Sequence, residues 1–118
     1  MKNRSIATET QTSATPVCWQ REAPSACLRV ELPSGELHLF SYQHFVTASL
    51  QRSEAGGETV RITFSSHELD VEGRGLRELL LGLQDFAVKW LRAAPDRYHT
   101  LPVSAEGIIT GIRITVAE

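Results

Sequence analysis

The sequence predicts an α+β fold: a twisted antiparallel sheet of five to six strands packed on one long helix, in the order β-β-β-β-β-α-β. Three observations carry this. Apolar and polar residues alternate in short runs between residues 27 and 72, and again near the C-terminal end; that is the period of a strand with one buried face. The links between these runs are short and rich in Pro, Gly or Ser, which favours antiparallel pairing. One stretch, Leu76 to Leu91, has helical spacing instead.

Residues 1–26 differ from the rest. The run ATETQTSATP is rich in Thr, Ser and Ala and can bury little apolar surface. The segment is expected to be a flexible polar tail, leaving 27–118 as a single domain. Trp19 could anchor its end, and an alternative makes 17–20 a short edge strand. No apolar core follows Lys2 and Arg4, so a secretory signal is not expected.

In the first strand Leu28, Val30 and Leu32 alternate with Arg29 and Glu31. Pro33-Ser34-Gly35-Glu36 suits a tight turn. Leu37 and Leu39 then alternate with His38 and Phe40, which completes a hairpin with the leucines facing the core. Tyr42-Gln43 is expected to bend. Val46, Ala48 and Leu50 mark a third strand, Glu54-Ala55-Gly56-Gly57 a turn, and Val60, Ile62 and Phe64 a fourth strand. Phe64 and Leu69 cannot share a face of an unbroken strand, so Ser65 to Glu68 is expected to turn rather than bulge. Leu69 and Val71 form the fifth strand, with Glu68, Asp70 and Glu72 outward, and Gly73-Arg74-Gly75 ends it.

The helix is read from Leu76, Leu79, Leu80, Leu83, Phe86, Ala87, Trp90 and Leu91, one broad stripe at helical spacing. Pro95 is expected to end it. Gly82 inside it costs about 1 kcal/mol relative to Ala, and a close approach to the sheet would explain it. A loop from Asp96 to Gly107 precedes the last strand, with Ile112, Ile114 and Val116 on one face.

At 118 residues the chain has room for one domain. Its 42% apolar and 22% charged fractions are those of an ordinary folded domain. They exclude a wholly disordered chain and a collagen-like repeat. No segment approaches the roughly 18 apolar residues of a membrane-spanning helix, so no membrane is expected. The 12 Lys+Arg against 14 Asp+Glu leave a net charge of −2, with the basic residues scattered. That argues against nucleic acid as a partner. Cys18 and Cys27 lack the spacing of a zinc site, and two free thiols point to the cytoplasm.

His38, His44, His67 and His99 show no metal-ligand spacing, so no metal or cofactor is expected. The alternating carboxylates Glu68, Asp70 and Glu72 read as a solvated strand face. Ser65-Ser66-His67 puts hydroxyls beside an imidazole, but sequence neighbours rarely form a catalytic pair. No catalytic residue is therefore assigned. Phe40, Tyr42 and Phe45 cluster at the predicted bend, and an apolar patch there would be a partner surface. Gly73, Arg74, Gly75 and Arg77 at a helix start, with His67, would make an alternative small-molecule or anion site, that of a binding domain or of an enzyme. The leading expectation is a small non-enzymatic interaction or assembly module. It would act through its outer sheet face or a strand edge, on a protein partner or by forming a homodimer.

Overall fold

A computed structural model describes residues 16–99 and 107–117. In chain order the elements are β1 (Trp19–Arg21), β2 (Cys27–Glu31), β3 (Leu37–Ser41), a 3-10 turn (Tyr42–His44), β4 (Phe45–Arg52), β5 (Glu58–Phe64), β6 (His67–Arg74), α1 (Arg77–Gln84), β7 (Val88–Arg92), a second 3-10 turn (Asp96–Tyr98) and β8 (Ile108–Val116). The architecture is α+β, with one α-helix among the described residues and two four-stranded sheets. The first runs β1-β7-β2-β3 and the second β4-β5-β6-β8. Among the described residues the pairings are antiparallel except that of β2 with β7.

The expectation of one sheet of five to six strands is corrected to two sheets. The chain changes sheet at the predicted bend. Tyr42 fixes that corner: its amide donates to the Ala26 carbonyl at 3.0 Å, and its hydroxyl donates to the Val88 carbonyl at 2.5 Å. β3 and β4 are therefore consecutive but unpaired. The inward faces of the two sheets share one core, with Leu28, Val30 and Leu91 on one side and Val60, Ile62, Leu69 and Val71 on the other, all fully buried. Phe40 stacks on Phe64 with ring centroids 5.0 Å apart, joining the two sheets.

The long helix is also corrected. It ends at Gln84. The Ala87 amide bonds the Gly82 carbonyl at 2.8 Å and the Phe86 amide bonds the Leu83 carbonyl at 3.1 Å. This is a Schellman stop, with Phe86 at φ 53° in the place glycine normally takes. Left-handed backbone costs a non-glycine residue roughly 1–2 kcal/mol. Phe86 offsets it by stacking on Tyr42 at 5.1 Å and meeting Phe45 at 5.9 Å. Beyond the stop, Val88–Arg92 is a strand. Its register against β1 skips Lys89, so Val88 and Leu91 both turn inward although three residues apart. That bulge reproduces helical spacing inside a strand.

Gly82 does approach the sheet closely. An added Cβ there would lie 3.1 Å from Val88 and 3.3 Å from the Trp19 ring. Trp19 and Cys18 are buried, and the short edge strand considered for 17–20 is found at Trp19–Arg21. Residues 1–15 of the expected tail, and Pro102 of the last loop, lie outside the described residues.

The outer face of the second sheet is polar. Arg61, Asp70 and Arg113 sit directly opposite one another on β5, β6 and β8. Asp70 was expected outward and solvated, yet it is only 7% exposed. It accepts from Arg61 Nε at 2.9 Å and Arg113 Nη2 at 3.2 Å. The hydrogen bond from Arg61, with lesser help from Arg113, outweighs burial and holds its carboxyl below the ordinary value. A depressed folded pKa contributes stability that is present above the unfolded pKa of about 3.9 and is lost as pH falls through the folded one. Thermal melts of wild type and Asp70→Asn should therefore converge as pH drops below about 4. A gap that stays constant down to pH 2 would contradict this role.

Candidate functional site

At the strand-to-helix turn, several of the residues read as an alternative anion site make contacts within the chain. An added Cβ on Gly73 would lie 2.0 Å from the Ile108 carbonyl oxygen, so the glycine admits β8 rather than a ligand. Gly75, at φ 68°, forms the turn itself. Arg74 donates to the His99 carbonyl at 2.7 Å, and Arg77 is exposed. The helix start already holds a carboxylate: the Leu76 amide donates to Glu58 Oε1 at 2.7 Å, and Arg52 Nε lies 3.3 Å from Glu58 Oε2. His67 is not brought to this end. It faces Val116 at one end of β6, while Arg74 faces Ile108 at the other, roughly 20 Å away at the rise of a strand.

The aromatic trio is mostly interior. Phe40 and Tyr42 are 7% and 5% exposed, and Phe45 is partly buried against the core. Besides Phe64, Phe40 meets His67 edge-on at 5.4 Å. Burial pushes the Tyr42 phenol above its ordinary pKa, and its hydrogen bond to Val88 opposes this only in part. These rings tie the two sheets to the helix end.

The apolar surface lies instead on β3. Leu28 pairs with Phe40 and Val30 with His38, so His38 and Phe40 turn inward while Leu37 and Leu39 are 63% and 69% exposed. This reverses the expected parity, and the turn length is the reason. Leu32 donates to Glu36 at 2.9 Å, closing a three-residue loop with Gly35 at φ 96°. An odd loop pairs even-numbered residues with even-numbered ones. The run Leu-His-Leu-Phe is apolar in both parities, so its alternation alone could not decide.

On this outer face two cross-strand rows run inward from the edge. Leu39 stands beside Arg29, Trp90 and Gln20; Leu37 stands beside Glu31 and Arg92. Arg29 Nε bonds Glu31 at 2.9 Å, the Arg92 guanidinium lies 4.7 Å above the Trp90 ring, and Trp90 Nε1 donates to Gln20 at 2.6 Å.

Edge strands normally carry protection against pairing: brevity, charge, proline or a bulge. β1 has three residues. β4 carries Arg52 and a register shift. β8 carries Arg113 and faces a register shift. β3 has five residues in regular register and no Lys, Arg or Pro. It alone of these four carries two exposed large apolar side chains. A cleft of about 310 Å³ opens between β3 and the β5–β6 turn, lined by His38, Phe40, His44, Phe64, Ser66 and His67 among others.

Ser66 Oγ lies 2.8 Å from His67 Nδ1 in that cleft. His38, His44 and His67 line that cleft together, but among the described residues no group of three or more His, Cys, Asp or Glu could hold a metal ion. Cys18 and Cys27 are free thiols, and burial pushes the Cys18 thiol pKa up. No helix among the described residues is long and apolar enough to cross a membrane. Comparison with family models, curated proteins and solved structures gives no match.

Proposed function

We propose that the chain is a small non-enzymatic interaction or assembly module whose contact surface is edge strand β3 with the adjoining outer face of its sheet. The observation that carries this reading is the β3 edge, on which no strand pairs among the described residues, with Leu37 and Leu39 both in solvent. Single exposed apolar residues are common and need no explanation. Two on one free edge offer an added strand both a row of unpaired backbone groups and an apolar seat. Burying each leucine contributes about 1.5–3 kcal/mol. Trp90, half-buried beside them and stacked under Arg92, extends that seat. The two unbridged thiols suit the cytoplasm, where we place the protein.

Photocrosslinking in cells tests the surface directly. A benzophenone side chain at position 39 should give discrete covalent adducts, and one at position 49, an exposed residue of β4, should give none. No adduct from position 39, or the same set from both, would contradict the reading.

A further inference from the structure

Resting on the β3 interface just described, we infer that its partner is a second copy of the same chain, paired antiparallel through β3 about a two-fold axis at His38. A symmetric dimer needs a surface that complements itself, and register decides whether β3 does so. With the axis at His38, Leu37 faces the partner's Leu39 and Leu39 faces the partner's Leu37, so all four exposed leucines meet. Each row then runs Glu31, Leu37, the partner's Leu39 and the partner's Arg29, because Glu31 stands beside Leu37 and Arg29 beside Leu39. An acid flanks one end of each four-residue row and a base the other. With the axis one residue along, at Leu39, the central row would end in Arg29 on both sides and Leu37 would face the partner's Ser41.

The inner face agrees. In the His38 register, Phe40 faces the partner's Glu36. That carboxylate would enter the cleft between β3 and the β5–β6 turn, where His44, Ser66 and His67 can donate to it. Glu36 is exposed in the single chain, with His38 Nε2 3.3 Å away. The two sheets would join into one of eight strands, with β3 and its copy at the centre.

Cysteine crosslinking tests both partner and register. The full chain would carry Cys27→Ser, leaving only the buried Cys18, which is 1% exposed. Residues on the axis face each other at about 4.5–5.5 Å between Cα atoms, within the span of a disulfide. Leu39 and its copy would be roughly 8 Å apart diagonally, beyond the limit of about 7 Å. On mild oxidation His38→Cys should form a covalent dimer at least tenfold faster than Leu39→Cys or the Ser49→Cys control. Faster crosslinking of Leu39→Cys would overturn the register. If none crosslinks above the control while position 39 still photocrosslinks a different protein, the self-pairing fails and the interaction surface stands. If that photocrosslink is absent too, the surface itself fails.

Discussion

Gly73→Ala should destabilise the protein by about 3 kcal/mol or more, the upper range of overpacking. Its thermal midpoint should fall by roughly 10–20 °C. The cause is backbone against backbone. The new methyl would lie 2.0 Å from the Ile108 oxygen and 3.0 Å from the Ile109 Cα, and neither atom can turn aside as a side-chain tip would. Relief requires β8 to move away from β6 where their register already shifts, between Glu72 and Gly73. That end of β8 carries Ile108 and Ile109, both fully buried. Gly57→Ala is the matched control. Its nearest neighbour is Ser53 Oγ at 3.5 Å, an ordinary contact, so it should melt within a few degrees of wild type. Equal melting of the two variants would contradict this account of Gly73.

Most strands were legible because their alternation is unambiguous. Val30, or Val60, Ile62 and Phe64, have polar neighbours on both sides, and the structure buries them as expected. A turn within Ser65 to Glu68 is legible from the parity change between Phe64 and Leu69, but it is shorter than expected, since His67 and Glu68 already belong to β6. Two failures have local physical causes. The helix stop was hidden because Phe86 occupies a position that glycine usually marks, and its aromatic contacts lie far away in sequence. The strand after it was hidden because its bulge spaces buried residues like a helix. With β7 read as helix, β1 lost its partner and a second sheet could not be inferred.

The surface was misread for a subtler reason. Alternation alone puts Leu37 and Leu39 in the core and Phe40 on the outside. Only the odd length of the Pro33–Gly35 loop inverts them, and sequence did not fix that length. The Gly73–Gly75 turn shows the converse: residues that could bind a ligand are satisfied by the chain itself, through Ile108, His99 and Glu58. An internal carboxylate at a helix start leaves no sign in local sequence.

The second large effect is expected at the β3 edge. The double variant Leu37→Lys, Leu39→Lys should weaken self-association by at least about 100-fold, which corresponds to roughly 2.7 kcal/mol. Two terms add. Leucine burial of about 1.5–3 kcal/mol for each side chain is lost, and like charges then face each other directly across the axis, which destabilises strand pairing. The folded single chain should be little affected, because both positions are mostly in solvent. Surface changes of this kind usually stay within about 0.5 kcal/mol. Lysine is also a common edge guard, so solubility should not suffer.

Sedimentation velocity of wild type and this double variant, over a wide concentration range, tests the β3 interface most directly. Wild type should move from one chain to two as concentration rises and stop there, since pairing consumes the edge. The double variant should remain a single chain throughout, and it should melt with wild type at dilutions where wild type is itself a single chain. A wild type that stays monomeric at every concentration, or a double variant that dimerises as readily as wild type, would contradict assembly through β3.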